Sequence, residues 1–381
     1  MTYQPYFGET HNILRQSLRT FIQREVHPHI DEWEEKEEFP RELYKKIAEA
    51  GFTGLGYPEE YGGTPVADIF LKIVFMEEFI RSGSVGLVAG IGSHAIALPP
   101  ILNLGTEEQK KRFIPPVLAG DKIAALAITE PDAGSDVANI RTRAVRDGDE
   151  YIVNGAKTFI TSGCRADILT TAVRTGGPGY GGISLLVIET KTPGFQVTRK
   201  IRKMGWHASD TGELAFEDCR VPVANRLGEE GRGFYGIMEN FQMERLIMAV
   251  EAHEVAQMAY EESLKYAQER QAFGRPLTGF QVTRHKLVDM ATKVAVAREF
   301  NYRVAARMQA GENVVTEVSM AKNFACEVCD QVVYDAVQIH GGYGYAREYL
   351  VERLYRDSRI LSIGGGTTEI MKEIISKTLK I

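Results

Sequence analysis

The sequence predicts an α+β multidomain chain: an N-terminal helical domain, a middle antiparallel β domain and a C-terminal four-helix bundle. Apolar residues recur at helical spacing early in the chain, short strand-like runs alternate with turns in the middle, and long amphipathic segments fill the last third. At 381 residues the chain exceeds what one hydrophobic core usually serves. We therefore expect domains at 1–120, 121–228 and 229–381.

The first domain is predicted to be helical. Residues 12–22 place their apolar side chains on one face at helical spacing, and 42–50 forms a second helix that stops at Gly51. Residues 69–80 predict a further amphipathic helix, and 85–102 predicts one helix of small and apolar residues.

The segment 85–102 is the candidate wall of a binding pocket. No lysine or arginine occurs between Arg81 and Lys110, and the only imidazole is that of His94. If this wall lines a substrate tail, the tail is uncharged. The segment fits an ordinary core helix equally well.

The middle of the chain changes to a strand-like pattern. Runs at 140–146 and 151–153 flank a turn at 147–149, and runs at 168–173 and 183–188 flank a glycine-rich loop. A further run lies at 212–216. After residue 230 long helical segments return, predicted at 234–271, 280–309, 314–339 and 369–379.

Composition and motifs exclude several classes of protein. The net charge of -6 argues against a nucleic-acid footprint, and no wholly apolar run approaches the roughly 20 residues of a membrane-spanning helix. The N-terminus lacks a secretory signal pattern, which favours the cytoplasm. Two GxGxxG matches, at 177–182 and 231–236, lie outside any strand–loop–helix context, so no nicotinamide-binding Rossmann fold is supported.

No metal site is expected. The histidines form no HExxH motif, and the lone CxxC of Cys326 and Cys329 lies inside a predicted long helix. Packing within that helix accounts for these cysteines better than redox or metal chemistry does.

The stretch that organises the chain is 127–136, AITEPDAGSD. An apolar strand-like run stops at Glu130 and Pro131, after which Gly134 and Ser135 leave backbone N–H groups free to turn toward a ligand. TEPDAGSD closely resembles the TEPxAGSD signature of the acyl-CoA dehydrogenase flavoproteins. KTFIT at 157–161 resembles the second flavin segment of that family, and the resemblance extends from about residue 10 to residue 379.

The resemblance implies FAD as the cofactor and an acyl-CoA as the substrate. Desaturating a thioester between Cα and Cβ requires removal of an α proton and of a β hydride. Side chains can accept the proton but not the hydride, so an organic redox cofactor is needed. The base is expected to be a carboxylate in a water-poor pocket, where burial raises its pKa.

Glu244 is the predicted base. Many family members carry the base near the C-terminus, but Gly365 occupies the matching position here, and glycine cannot abstract a proton. FQMERLI at 241–247 resembles the branch with isovaleryl-CoA and long-chain enzymes, which supplies a glutamate from the first long helix of the C-terminal domain. Glu369 is the rival, although its position matches a cofactor contact in the family.

The resemblance also implies the other site residues. Thr129 and Thr161 should form hydrogen bonds to the flavin ring. Phe159 should pack on this ring, at a position where tryptophan is common in the family. Ser135 should contact cofactor and thioester, and Arg245 should lie beside CoA and the base. The remaining cofactor positions are Leu126, Ile128, Gly134, Arg270, Phe273, Gln281, Gln338, Gly341, Gly342, Thr367 and Glu369. Gln242 and Gly366 are further substrate positions.

Positions such as Arg270 and Gly341 match residues that reach the FAD of a neighbouring subunit, which implies a homo-oligomer, in family terms a tetramer. The expected electron acceptor is an electron-transfer flavoprotein. Two alternatives stay open: a related flavoprotein oxidase or carrier-protein-thioester dehydrogenase, and a catalytically silent acyl-CoA-binding protein, which Gly365 alone favours. A base at position 244 favours a substrate with a branched, medium or long acyl chain.

Overall fold

A computed structural model describes residues 6–381, apart from the side chain of Glu239; the first five residues of the predicted N-terminal domain lie outside this range. Helices fill the chain before residue 120 and again after residue 232. The first group is α1 (Glu9–Glu25), α2 (Ile30–Lys36), α3 (Glu42–Glu49), α4 (Ile69–Ile80), α5 (Val85–Ala97), α6 (Pro99–Leu104) and α7 (Glu107–Leu118).

The prediction of one helix over 85–102 is wrong, because the helix is divided at its prolines. The Ser84 hydroxyl accepts a 3.0 Å bond from Leu87 N–H at the start of α5. α5 ends at Ala97 and α6 begins at Pro99, since Pro99 and Pro100 cannot donate backbone bonds to α5.

By length and composition the stretch Val85–Leu104 is apolar enough to cross a membrane, contrary to the expectation from sequence. In the fold, 67% of its most apolar window is buried inside the protein, where α5 packs against β-strands. The two helices of this stretch, α5 and α6, therefore belong to the core here.

The middle of the chain forms a twisted, mainly antiparallel sheet. Its strands are β1 (Ala124–Ala127), β2 (Arg143–Asp147), β3 (Glu150–Thr161), β4 (Ile168–Arg174), β5 (Ile183–Glu189), β6 (Phe195–Lys200), β7 (Thr211–Pro222) and β8 (Arg226–Leu227). The strand order is β6–β7–β3–β2–β4–β5–β8, with β1 paired to β4. The predicted antiparallel pattern holds except at β4, which runs parallel to β1 and, at one residue pair, to β2.

The second helical group begins with a 37-residue helix. Its members are α8 (Gly233–Glu269), α9 (Gln281–Gln309), α10 (Val315–His340), α11 (Leu350–Ser358) and α12 (Thr368–Leu379). A short hairpin of β9 (Gln271–Ala272) and β10 (Arg275–Pro276) links α8 to α9. α10 packs along α8, α9 and α12, and Cys326 and Cys329 are buried on it.

A buried polar cluster joins the two helical groups. Glu77 of α4 accepts a 2.8 Å bond from Arg15 and a further bond from the Tyr302 hydroxyl of α9. Arg81 pairs with Glu254 of α8 at 2.7 Å. These contacts compensate the buried charge of Glu77, whereas burial raises the pKa of Glu254 to about 8 against the lowering effect of Arg81.

Candidate active site

The loop after β1 lies where the sheet divides. β1 ends at Ala127, opposite Thr171 of β4, whereas β2 begins at Arg143, opposite Arg174. Both strands thus share one edge of β4, and the chain between them, which contains 129–136, leaves the sheet through the gap.

A buried ion pair fixes this loop. Lys157 of β3 donates to Glu130 Oε1 at 2.8 Å and to the carbonyl oxygen of Ile128 at 2.9 Å. Glu130 also accepts a 2.9 Å bond from the backbone N–H of Thr142. Burial lowers the pKa of Lys157 to about 8, against the raising effect of Glu130.

Phe159 stands out from β3 at a β-bulge. The register between β3 and β7 shifts between Lys157 and Ile160, and Phe159 adopts a φ of 59° with 66% of its side chain exposed. The N–H of Thr158 donates to the carbonyl of Thr129 at 2.9 Å, which joins the bulge to the loop after β1. The structure therefore brings the predicted ring-contacting segments side by side.

The other predicted positions of this first group lie on the same two segments. Leu126 is partly buried in β1, Ile128 is buried, and Thr129 and Thr161 are partly buried. Gly134 and Ser135 are exposed on the loop, and a side chain at Gly134 would meet no other atom within 4 Å.

Glu244 lies one turn before the most buried part of α8. Its side chain is partly exposed, but the Oε2 atom is buried and has no hydrogen-bond partner. Burial raises the pKa of Glu244 to about 7, although the cations of Arg245 and Lys322 lower it. A carboxyl with this pKa can accept a proton near neutral pH.

The segment 363–367 approaches this carboxylate. An ideal Cβ on Gly365 would lie 3.7 Å from Glu244 Oε1, and Arg245 Nε donates to the Gly365 carbonyl at 3.1 Å. A Cβ on the partly buried Gly366 would lie 3.7 Å from Arg245 Nη2. The glycine at 365 and the glutamate at 244 thus meet at one place.

Glu369 differs from Glu244 in both exposure and proton affinity. It is exposed in the first turn of α12, where bonds from its own backbone N–H and from Thr367 lower its pKa. Thr367 is the N-cap of α12 and accepts a 3.3 Å bond from Ile370 N–H. A solvated carboxylate of low pKa is a weak base, so the local chemistry favours Glu244.

α5 connects the two parts of the site. It packs against β1 and β3, and near its C-terminus the carbonyl of Ile96 accepts a 3.1 Å bond from Asn240 of α8. Burial lowers the pKa of His94 to about 3, so this imidazole is neutral and the helix presents no charge. Gln242 is partly buried on α8 in the turn between Asn240 and Glu244.

The remaining predicted cofactor residues lie at the far end of α8. From Glu244 to Glu269 the helix rises about 37 Å. The Arg270 guanidinium lies 5.7 Å from the centre of the Tyr343 ring, and Phe273 is 95% exposed. The members of this distal group are exposed and occupy the ends of α8, α9 and α10: Arg270, Phe273, Gln281, Gln338, Gly341 and Gly342.

Known protein families match all three parts of this chain. Family models of acyl-CoA dehydrogenases match the N-terminal domain over residues 8–121, the middle domain over 125–219 and the C-terminal domain over 231–380. The chain belongs to the acyl-CoA dehydrogenase family.

Individual relatives span nearly the whole chain. An acyl-CoA dehydrogenase of Bacillus subtilis is 42% identical over 96% of this chain and 97% of its own length. The long-chain specific enzyme of Sus scrofa is 41% identical over 98% of this chain and 87% of its own. A probable acyl-CoA dehydrogenase of Mycobacterium abscessus superposes with a TM-score of 0.96 at 53% identity, covering 98% and 100% of the two chains.

This acyl-CoA dehydrogenase family member is an oxidoreductase that uses FAD. A structural neighbour from Bacillus anthracis, 34% identical with a TM-score of 0.93 over 100% of this chain and 68% of its own, is complexed with FAD. The residues present fit a flavin: Phe159 offers an exposed ring, the loop around Gly134 leaves space beside its backbone, and Glu244 Oε2 is an unpaired buried acceptor.

Two groups that sequence reasoning missed are the lysines at 157 and 322. From the sequence, Lys157 is only the first residue of the KTFIT segment, but in the structure it binds Glu130 in the loop after β1. Lys322 lies beside the predicted base, Glu244. A signal was present for Lys322, which shares a helical face with the apolar Val318, Ala325 and Cys326, whereas Lys157 follows Asn154 and Gly155 and interrupts no apolar pattern.

Proposed function

We propose that this acyl-CoA dehydrogenase removes the α proton of an acyl-CoA with Glu244 and forms the trans-2-enoyl-CoA. The observation that carries the proposal is the 3.7 Å approach of a Gly365 Cβ to Glu244 Oε1. In the family resemblance position 365 carries the base, and here a carboxylate from α8 reaches the same place. Bound FAD supplies the acceptor for the β hydride.

The chain's own residues supply the proton chemistry and the dry surroundings. Glu244 holds the abstracted proton on a carboxyl whose pKa burial has raised to about 7. α5 and the apolar part of α8 exclude water from the acyl chain, while Phe159 packs on the flavin. Ser135 and Arg245 orient the thioester and the CoA.

The test is anaerobic bleaching of the FAD absorbance by an acyl-CoA. Glu244→Gln should retain yellow FAD and bleach about 10²–10⁴-fold more slowly. Glu251→Gln is the matched control, because Glu251 lies two turns further along α8 and burial raises its pKa to about 8. Wild-type bleaching by Glu244→Gln would contradict the proposal.

We propose an uncharged substrate chain, branched or of medium to long length. The absence of lysine and arginine between Arg81 and Lys110 and the neutral His94 support an uncharged pocket wall. Relatives named for long-chain acyl-CoA and for isobutyryl-CoA, the latter from Bos taurus at 38% identity, support the two classes. Bleaching across straight, branched and glutaryl-type acyl-CoAs tests this, and rapid bleaching by glutaryl-CoA would contradict it.

An electron-transfer flavoprotein is the proposed acceptor. A relative from Acetobacterium woodii, 40% identical over 98% of this chain and 99% of its own, is a subunit of a caffeyl-CoA reductase–Etf complex. Rapid peroxide formation in air would favour an oxidase instead, and faster bleaching by carrier-bound thioesters would favour that substrate class. Absence of bleaching by any thioester would favour a silent binding protein.

The reductase relative also makes enoyl-CoA reduction a second candidate. A Glu244 pKa of about 7 leaves both its acid and its base forms populated near neutral pH. Oxidation of the photoreduced holoenzyme by a 2-enoyl-CoA measures this direction. Reoxidation of the wild-type protein no faster than that of Glu244→Gln would exclude this candidate.

We propose a homotetramer in which the distal group completes the FAD site of another subunit. Within one chain, a rise of about 37 Å along α8 separates the distal group from Glu244. Mixed oligomers of Glu244→Gln and Arg270→Glu subunits test the idea. If Arg270 serves a neighbour, mixing two impaired variants restores bleaching; if it serves its own chain, mixing restores none.

A further inference from the structure

The turn opposite Glu244 is bound by two cations. Lys322 of α10 donates from Nζ to the Gly364 carbonyl at 2.7 Å and also to the Gly366 carbonyl. Arg245 donates to the carbonyl between them, that of Gly365, at 3.1 Å. Three consecutive carbonyl oxygens of the turn are therefore held by two positively charged side chains.

Lys322 is placed at an energetic cost. Only 1% of its surface is exposed, and among the side chains that the structure describes no carboxylate forms an ion pair with its ammonium. Burial lowers the pKa of Lys322 for this reason. A buried cation bound only by backbone carbonyls is rare in protein interiors, because desolvation of the charge is not fully compensated.

Both cations also act on the carboxylate. In the described part of the chain, the charged groups that influence Glu244 are Arg245 of its own helix and Lys322 of α10, while 363–367 contributes none. The thiol of Cys326 faces Lys322 from the next turn of α10. Loss of the Lys322 charge would leave Arg245 as the single cation favouring the ionised base.

We propose that Lys322 is a positioning residue for the base: its ammonium fixes the carbonyls of Gly364 and Gly366, and thereby the turn that lies against the Glu244 carboxylate, while its charge favours the carboxylate form. This inference rests on the proposed role of Glu244. It assigns to a lysine of α10 two separable effects, one on geometry and one on charge.

The two effects separate in the pH profile of FAD bleaching. Lys322→Met removes both the bonds and the charge. We expect the acid limb of the profile to move upward by about one pH unit, as for loss of a nearby opposite charge. At pH 9, where the base is ionised in either protein, we expect bleaching to remain about tenfold slower because the turn is no longer held.

Lys322→Gln removes the charge but keeps an uncharged amide group that can donate hydrogen bonds. It should show the same shift of the acid limb with a smaller loss of rate at pH 9. Asn323→Ala is the matched control on the same helix, since Asn323 bonds the Thr368 carbonyl at 3.1 Å without a charge. Its acid limb should stay where the wild-type limb lies.

Three outcomes overturn the inference: a wild-type profile in both Lys322 variants, an equal limb shift in Asn323→Ala, or loss of FAD and of the folded state in both Lys322 variants, which would show a purely structural role. Should Lys322→Met alone fail to fold, Lys322→Gln still decides. The Glu244→Gln variant separates failure of this inference from failure of the proposed function. If Glu244 is not the base, Glu244→Gln retains wild-type bleaching, whatever the Lys322 variants do.

Discussion

Replacing Gly365 by alanine should disturb the site in a predictable way. Gly365 has a φ of 62°, in the left-handed region, and its ideal Cβ would lie 2.5 Å from Met248 Sδ. The left-handed backbone costs about 1–2 kcal/mol for a residue with a Cβ, and displacing a packed side chain costs about 1–3 kcal/mol. We expect Gly365→Ala to destabilise the folded protein by about 2–5 kcal/mol.

The expected shift in melting temperature follows from chain length. Unfolding entropy near 2.1 cal/mol/K per residue gives about 0.8 kcal/mol per degree for this chain, so Gly365→Ala should lower Tm by about 3–6 °C. Circular dichroism of the FAD-loaded protein measures this. The new methyl also lies beside Glu244 Oε1, so we expect anaerobic bleaching to slow by about 10²-fold.

Gly364→Ala is the matched control in the same turn. Its Cβ would meet Met248 Cε at 3.3 Å, and Gly364 lacks a positive φ, so its Tm should fall by about 1 °C or less. Adding Met248→Ala to Gly365→Ala should remove the steric part of the destabilisation and leave the part caused by the backbone conformation. The effects of the two substitutions on stability should therefore not be additive. Equal Tm shifts at 364 and 365, or strictly additive effects with Met248→Ala, would refute this reasoning.

Three further predictions test other parts of the molecule. Lys157→Met should destabilise the protein by about 3–5 kcal/mol and weaken retention of FAD, because Glu130 is left as an unpaired buried charge; unchanged Tm and unchanged absorbance would contradict this. Phe159→Ala should weaken FAD binding about tenfold by isothermal titration, with the Tm of the apoprotein unaltered, since the ring is exposed and, in the proposed site, packs on the cofactor alone. Glu251 keeps its proton in the folded state up to about pH 8, so its contribution to stability is complete below the unfolded pKa and is lost as pH rises toward 8. Wild-type Tm should therefore fall between pH 5 and about 8 more steeply than that of Glu251→Gln, and parallel curves would exclude this role.

Periodicity was sufficient to predict the elements with clear apolar patterns. Helix 69–80 is observed at those residues, and the three long C-terminal helices begin and end within two residues of their predicted bounds. Strand β6 was missed because its residues after Phe195 are exposed, so no buried face alternates along it. Helix α11 was missed because it follows a glycine-rich break.

The site residues were predicted from motifs shared with a known family rather than from hydrophobic periodicity. Glu244 could be placed on a helix from the sequence, but the approach of the turn at 363–367 to its Oε1 atom is a contact between segments more than a hundred residues apart. Likewise the parallel pairing of β1 with β4 is a long-range feature, and local alternation in a strand carries no information about the direction of its partner.

The two missed lysines share a physical task. Lys157 binds the Ile128 carbonyl where β1 ends, and Lys322 binds the Gly364 and Gly366 carbonyls in a turn before α12. A site built where strands and helices end leaves backbone carbonyls that secondary structure does not pair, and unpaired buried carbonyls are costly. An ammonium group satisfies several of them at once, and its long apolar stem crosses the core to reach them. On α10 this task explains why Lys322 occupies a helical face that is otherwise apolar: its ammonium reaches a buried turn within one side-chain length of the helix.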